Sequence, residues 1–282
     1  MRPPDVPYGA TISARTILRA AGGLTTLGAA VAAIPIVEGV ILWRSARPPV
    51  PGPHHQDGFV DEASAGTPLS IVWLGDSLAS GIGAGCADSS FPRRAASLVG
   101  AEGRNVHLTC LAKPGSRSCD VLADQIPLAR ERLGAGDVAI VTVGSNDVGT
   151  FTLPWIFSRR YTQIIDALTA TGATVVAVGL PNMGAATVMP QPLRSIVGWM
   201  GRTADRRVRT IAGTRGAHHV AIDEKPARRT APSTYLAADE WHPNDETYHR
   251  WAGRVAALLN LVLVAHATAT LDAGADLTPS LG

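Results

Sequence analysis

Short apolar runs alternate with longer stretches of helical character through most of this chain, and no other feature constrains its fold as strongly. In such an alternation the strands pair in parallel and helices cover both faces of the sheet. The continuous run Ile71-Val72-Trp73-Leu74 is typical of a strand buried on both faces. The predicted strands are Leu69–Leu74, Val106–Leu111, Val138–Val143, Val175–Leu180 and His219–Ile222. The predicted helices are, approximately, Phe91–Val99, Ser118–Leu133, Pro154–Thr171, Gln191–Gly213 and Asn244–Val264. We therefore predict an α/β fold, a three-layer α/β/α sandwich around a parallel sheet of about five strands.

The composition supports a packed protein and excludes several other classes. Hydrophobic residues make up 46% of the 282 residues and charged residues 17%, whereas a disordered chain shows the reverse balance. The formal net charge is +2, and no basic tract or groove-reading motif occurs, so we expect no nucleic-acid partner. Three cysteines are too few for a disulfide-framework fold or a four-thiolate zinc site.

An apolar stretch near the N-terminus predicts a transmembrane anchor over residues 20–43. Ala20–Val37 carries no charge and approaches the ~20 residues that a bilayer span requires; Gly39–Trp43 extends it beyond Glu38. The arginines on its N-terminal side slightly favour a cytoplasmic N-terminus. We therefore expect a single-pass protein of the cell membrane whose folded domain lies outside the cytoplasm. Two alternatives remain open: a signal peptide cleaved near Val31-Ala32-Ala33, and a helix buried in a soluble protein.

The remaining boundaries follow from composition. Residues 1–19 are a cytoplasmic segment, and 44–66 form a linker that its prolines stiffen toward polyproline II. Residues 67–268 form the folded domain, which is long enough to bury a core. Residues 269–282 have little to pack against, so we predict a disordered tail.

Four polar motifs come where the predicted strands end or the last helix begins. Gly75-Asp76-Ser77-Leu78 follows the first strand, Gly115 the second, and Gly144-Ser145-Asn146-Asp147 the third. Asp239-Glu240-Trp241-His242-Pro243 precedes the final helix. The carboxyl ends of parallel strands meet at one edge of a sheet, so one crevice can collect these side chains. An aspartate three residues before a histidine can reach Nδ1 and leave Nε2 free to take a proton.

In this order and context the motifs resemble the SGNH hydrolase superfamily, also called GDSL esterases, over about Leu69 to Val264. The resemblance implies that Ser77 is the nucleophile, His242 its general base and Asp239 the group that orients the imidazole. It implies an oxyanion hole of the Ser77 and Gly115 N–H groups with the side-chain amide of Asn146. It also implies a flavodoxin-like strand order 2-1-3-4-5, and carboxylic ester hydrolysis through an acyl-enzyme without cofactor or metal. An unactivated hydroxyl is a weak nucleophile, which agrees with the need for an adjacent base.

The substrate and the outcome of the reaction stay open at this point. Close to a membrane or wall, a small-molecule ester of a lipid or an acylated carbohydrate is the expected substrate, and membrane lipid is the expected partner of the anchor. An acyltransferase with the same triad, or a non-catalytic binding module with a relic site, is the alternative. The sequence does not indicate an oligomeric state.

Other reactive side chains are given lesser roles. A disulfide between Cys86 and Cys119 is a hypothesis, and Cys110 is predicted to be a buried free thiol. The pairs His54-His55 and His218-His219 lack metal-ligand spacing, so no metal site is expected. Arginine clusters are interpreted as solvated faces, with contact to anionic lipid headgroups as the alternative. These clusters are Arg159-Arg160, Arg206-Arg207-Arg209 and Arg228-Arg229.

Overall fold

The computed structural model describes residues 38, 48–60, 68–222 and 231–275. They form a six-stranded sheet in the order β1-β3-β2-β4-β5-β6. Strands β2 to β6 are parallel, and β1 pairs antiparallel with β3 at one edge. The parallel sheet is confirmed. The five predicted strands correspond to β2 to β6, and when β2 is counted as the first strand their order is the expected 2-1-3-4-5. The strands are β1 Gly58–Phe59, β2 Leu69–Gly75, β3 Val106–Cys110, β4 Val138–Thr142, β5 Thr174–Val178 and β6 His218–Val220.

Helices cover both faces of this sheet. Because side chains alternate along a strand, Ile71 and Trp73 of β2 belong to one buried cluster, and Val72 and Leu74 belong to the other. The helices are α1 Phe91–Gly100, α2 Ser118–Asp120, α3 Ile126–Arg130, α4 Ser145–Gly149, α5 Pro154–Thr169, α6 Leu193–Thr214 and α7 Asp245–Ala275. A π-helical turn, Val121–Gln125, joins α2 to α3. Short 3₁₀ turns occur at Ala87–Ser89, Met183–Ala185 and Pro232–Thr234.

The two clusters have different helical partners. Helices α1 and α7 pack on the Trp73 side, where Phe91 lies edge-on to Trp73 and contacts Tyr248 and Trp251. Helices α5 and α6 pack on the other side through residues such as Tyr161. This arrangement is the predicted three-layer sandwich, and it leaves the loops at the carboxyl edge of the sheet to build a site.

Part of the predicted linker, within residues 48–60, packs against the folded domain. Strand β1 pairs with β3, and the nitrogen of Gly83 donates to the carbonyl of Pro51 at 2.9 Å. The buried Gln56 donates from Nε2 to the Ala79 carbonyl at 2.9 Å and accepts from the Ser90 hydroxyl at 2.6 Å. Composition alone predicts a linker here, because a proline-rich extended segment has the same composition whether it is solvated or lies along a domain.

The two ends of the chain are described only in part. The predicted anchor lies outside the described residues except for Glu38, whose carboxylate accepts a hydrogen bond from the nitrogen of Leu193 at 3.1 Å. Among the helices of the described part, none combines the length and apolar character that crossing a bilayer requires. Helix α7 continues to Ala275, so the first residues of the predicted disordered tail are helical. Residues 269, 273 and 275 are alanines, which favour the helix.

The three cysteines are free thiols, and the hypothesis of a Cys86–Cys119 disulfide is therefore wrong. The sulfurs of Cys86 and Cys119 each lie beside a partner close in sequence instead. The Cys86 sulfur is 3.4 Å from the Ser89 hydroxyl, and the Cys119 sulfur donates to the Asp120 carboxylate at 3.5 Å. The Cys110 thiol is a half-buried group, and burial raises its pKa to about 12.

Candidate active site

Ser77 lies in the sharp turn that follows β2. Gly75 ends the strand at a φ of +153°, and a Cβ there would overlap the carbonyl oxygen of Thr142 on β4. Only glycine combines this conformation with so close an approach of two strands. The carboxylate of Asp76 then accepts from the nitrogen of Leu78 at 3.0 Å, which closes the turn around Ser77. The local sequence therefore presents the Ser77 hydroxyl at the carboxyl edge of the sheet.

His242 and Asp239 come together within one loop before α7. The His242 Nδ1 lies 2.6 Å from Oδ2 of Asp239, and its Nε2 lies 3.2 Å from the Ser77 hydroxyl. The other carboxylate oxygen, Oδ1, accepts the backbone N–H groups of Trp241 and His242, each at 3.0 Å. Between Asp239 and Trp241, Glu240 adopts a left-handed φ of +54°. When Nδ1 carries the ring proton it donates to Asp239, and Nε2 is left to accept the Ser77 proton.

The Asp239 carboxyl is ionised at neutral pH. Burial by itself raises its pKa, because the charged form loses water. The hydrogen bonds from the His242 ring and from the two backbone N–H groups outweigh that effect and hold the pKa at about 2. The negative charge of Asp239 therefore lies against Nδ1 of His242.

Asn146 lies on the short helix α4, and the buried Asp147 fixes that helix in place. Asp147 accepts from both the nitrogen and the hydroxyl of Ser118 at 2.7 Å, which ties α4 to α2. The side-chain amide of Asn146 donates to the Ser116 carbonyl at 3.0 Å. Gly115 lies in the neighbouring turn at a φ of +81°. The structure thus brings the Asn146 amide to the turn that carries Gly115.

A cavity of about 490 Å³ opens beside Ser77, His242 and Asn146. Its walls are mostly apolar, as is usual for small-molecule sites. The loop after β5 contributes Pro181, Met183, Ala185 and Ala186, and the loop before α7 contributes Tyr235 and Leu236. Trp155 is exposed and lies outside the cavity lining, and Gly115 is also absent from that lining among the described residues.

Sequence reasoning missed part of this wall. Glu246, Arg250 and Trp251 of α7 also line the cavity. The Arg250 guanidinium lies 3.2 Å from the Glu246 carboxylate and 3.0 Å from the Thr247 hydroxyl. A glutamate four residues before an arginine, directly after the His-Pro motif, is the signal that points to a charged helix face at the site.

Asp76 is a buried titratable group in the turn that carries Ser77. It is fully buried, and its Oδ2 has no hydrogen-bond partner among the described residues. Burial raises its pKa, the hydrogen bond from Leu78 opposes that, and the charge of Asp147 raises it further, to about 7. The Asp76 carboxyl next to the nucleophile therefore stays neutral at pH values well above the ordinary pKa of an aspartic acid.

The histidine pairs have no common ligand environment. Within residues 48–60, 68–222 and 231–275, no three His, Cys, Asp or Glu side chains come together as metal ligands do. His54 bonds through Nε2 to the Ala84 carbonyl at 2.8 Å, and His219 lies 3.8 Å from the Asp205 carboxylate.

Comparison with known proteins agrees with this site. The model of the GDSL-like lipase/acylhydrolase family matches residues 73–250, from β2 through the His242 loop into α7. A GDSL-like esterase of Mycobacterium tuberculosis is 28% identical over 215 residues, covering 75% of this chain and 67% of the relative.

Solved structures share the fold at low sequence identity. TesA superposes with a TM-score of 0.52 at 18% identity, covering 68% of this chain and 98% of TesA. A lipolytic protein of the G-D-S-L family from Veillonella parvula gives 0.51 at 15% identity, covering 66% and 95%. Because the family model spans more than half of the sequence, the chain belongs to the GDSL-like lipase/acylhydrolase family, a family of ester hydrolases.

Proposed function

We propose that this protein is a serine esterase that hydrolyses carboxylic esters through an acyl-enzyme on Ser77. The observation that carries the proposal is the continuous hydrogen-bonded line from Ser77 through His242 to Asp239, with separations of 3.2 and 2.6 Å. A serine hydroxyl needs an adjacent base to act as a nucleophile, and that base needs a group that orients it. His242 and Asp239 have the chemistry and spacing for these two roles.

In the acylation half, Ser77 Oγ attacks the ester carbonyl carbon while its proton moves to Nε2 of His242. The carbonyl oxygen becomes an oxyanion, for which we assign the N–H groups of Ser77 and Gly115 and the amide of Asn146. Collapse breaks the bond to the leaving alcohol, which departs with the proton from His242. The ionised Asp239 stabilises the transient imidazolium.

In the deacylation half, water takes the place of the alcohol. His242 accepts a proton from the water as its oxygen attacks the acyl carbon, and the same donors hold the second oxyanion. The acid leaves when the bond to Ser77 Oγ breaks and His242 returns the proton to the serine. No cofactor takes part in these steps.

The substrate we propose is an ester with an apolar acyl group, presented by a lipid. The cavity beside Ser77 has apolar walls and a volume of about 490 Å³, within the range of small-molecule sites. The segment that follows α4, five to nine residues beyond Asn146 in the sequence, exposes three large apolar side chains. Phe151 is 53% exposed, Leu153 52% and Trp155 64%. Because Asn146 lines the mostly apolar cavity, exposed apolar side chains in the segment that follows it favour a lipid surface over a dissolved, acylated carbohydrate.

The predicted anchor over residues 20–43 would keep this site at a membrane, and we propose a single-pass protein with the domain outside the cytoplasm. Alkaline carbonate extraction of membranes from cells that express the full-length chain tests this. The anchored protein should stay in the pellet and be digested by protease added to intact spheroplasts. Release into the supernatant would refute the anchor, and protection from protease would refute the orientation.

The enzymatic proposal is tested with p-nitrophenyl esters from acetate to palmitate. The full-length chain should hydrolyse them, and Ser77→Ala and His242→Ala should each lower kcat by at least about 10³-fold. Ser145→Ala is the matched control, because Ser145 lines the same cavity without contacting His242 and should keep kcat within tenfold. A folded chain that is inactive on every ester contradicts the proposal. Product that partitions to an added alcohol acceptor would instead identify an acyltransferase.

A further inference from the structure

Gln125 is a fully buried polar side chain to which the mechanism above gives no role. Its Oε1 accepts the Gly75 N–H at 2.8 Å, and its Nε2 donates to the Gly75 carbonyl at 2.9 Å. The same Nε2 lies 3.2 Å from the hydroxyl of Ser116. The side-chain amide therefore pairs with both backbone groups of Gly75, as a neighbouring strand would, and reaches a second loop as well.

The partners of Gln125 belong to the segments that carry two of the three assigned oxyanion donors. Gly75 ends β2, just before Ser77, and Ser116 directly follows Gly115. The Ser116 carbonyl in turn accepts the Asn146 amide at 3.0 Å. One continuous hydrogen-bonded network therefore runs from Gly75 through Gln125 and Ser116 to Asn146.

The backbone around Gln125 is itself unusual. Gln125 ends the π-helical turn Val121–Gln125, and the nitrogen of Ile126 closes that turn on the Val121 carbonyl. Such turns are rare and occur frequently at functional sites. Here the turn lies between two helical segments of regular geometry, α2 and α3, and the side chain at its end reaches the nucleophile strand.

We propose that Gln125 is a positioning residue that holds the oxyanion donors in register with one another. The inference rests on the proposed esterase function. Donors act when they lie about 2.7–3.1 Å from the developing oxyanion, and a misplacement of about 1 Å can cost roughly 10²-fold in rate. A side chain that joins two donor segments directly, and the third through Ser116, determines that geometry without touching substrate.

The test compares Gln125→Met with Gln56→Met in the full-length protein. Methionine keeps the length of glutamine and removes its hydrogen bonds. Gln56 is the matched control, because it is also buried and hydrogen-bonded through both Oε1 and Nε2, but its partners are Ala79 and Ser90. Both variants should unfold at lower urea concentration than the wild type. In p-nitrophenyl butyrate hydrolysis under folded conditions, Gln125→Met should lose about 10- to 100-fold in kcat with KM within threefold, and Gln56→Met should keep kcat within threefold.

Equal kcat losses in the two variants would overturn the proposal, because the loss of buried hydrogen bonds alone would then explain the effect. An unchanged kcat in Gln125→Met would overturn it as well, because the donors would then keep their positions without Gln125. If Gln125→Met does not fold, Ser116→Ala carries the test. It removes the hydroxyl that Gln125 contacts and keeps the carbonyl that Asn146 uses. A kcat loss of about 3- to 10-fold is expected, and an unchanged kcat overturns the inference.

Different results would refute the esterase function and the positioning role of Gln125. An inactive wild-type chain, or a Ser77→Ala variant that stays active, means that the esterase proposal is wrong. A wild-type chain whose activity depends on Ser77 but not on Gln125 means that only the positioning role is wrong.

Discussion

Replacing Asp76 by asparagine should change how the stability of this protein depends on pH. The Asp76 carboxyl is fully buried, with Oδ1 bonded to the nitrogen of Leu78 and Oδ2 unbonded among the described residues. Burial first, and then the charge of Asp147, raise its pKa from 3.8 to about 7 against the opposing hydrogen bond from Leu78. Asparagine keeps the Oδ1 acceptor and cannot ionise, so the variant isolates the titration.

The sign follows from the two states of the chain. Between about pH 4 and pH 7 the unfolded chain loses the Asp76 proton while the folded chain keeps it, so unfolding becomes more favourable as pH rises. The effect is absent at low pH, where both states are protonated, and complete above the folded-state pKa. A tenfold change in proton affinity corresponds to about 1.4 kcal/mol, so the rise from 3.8 to about 7 corresponds to about 4 kcal/mol at pH 8.

Urea unfolding of wild type and Asp76→Asn at about pH 4 and pH 8 measures this quantity. All other groups titrate in both proteins, so the difference between them should change by about 4 kcal/mol, in favour of the variant at the higher pH. Asp166→Asn is the control: its carboxylate is half-exposed beside Arg215, and it should behave as wild type does. A difference between wild type and Asp76→Asn that stays constant with pH would refute the reasoning.

Three further predictions concern the backbone, the thiols and the N-terminal segment. Gly75→Ala should destabilise the fold by at least about 2 kcal/mol in urea titrations, because the new Cβ overlaps a backbone carbonyl of β4. Iodoacetamide should alkylate Cys86 first and Cys110 only on unfolding, as peptide mass spectrometry would show; Cys86 is exposed with a lowered pKa from its hydrogen bonds to Ser89, whereas burial raises that of Cys110. A chain that begins at residue 66 should melt several degrees below one that begins at residue 48, because it lacks the two buried hydrogen bonds of Gln56.

The features that could be predicted from the sequence are those written in short stretches of chain. The apolar runs identify the parallel strands because a strand buried on both faces leaves no polar position. The Asp239–His242 contact spans one turn, so its spacing alone indicates it. The Ser77 turn is likewise local, since Gly75 and Asp76 shape it directly.

The features that escaped prediction depend on what lies across the fold. From the sequence, Gln125 is indistinguishable from an ordinary helical residue. In the structure, the π-helical turn places its side chain at Gly75. From the sequence, Gln56 is indistinguishable from a residue of a solvated linker. In the structure, its side-chain amide is hydrogen-bonded to Ala79 and Ser90. In both cases a polar side chain is buried by a partner far away in the chain, and no local pattern records such a partner.

The separation between Ser77 and His242 is the long-range distance on which the proposed chemistry depends most, and the two residues are held together by the loop that follows Ser77. In that loop a Cβ on Gly83, which has a φ of +92°, would overlap the carbonyl oxygen of Pro243, so only glycine lets the two loops touch. The Tyr248 hydroxyl donates to the Ile82 carbonyl at 2.7 Å, which fixes the first turns of α7 to the same loop. Tyr248 also stacks on Phe91 in the core between α1 and α7. The 3.2 Å contact of Ser77 with His242 is therefore set by helix packing as much as by the motifs, which is why the motifs name the residues but do not determine the distance.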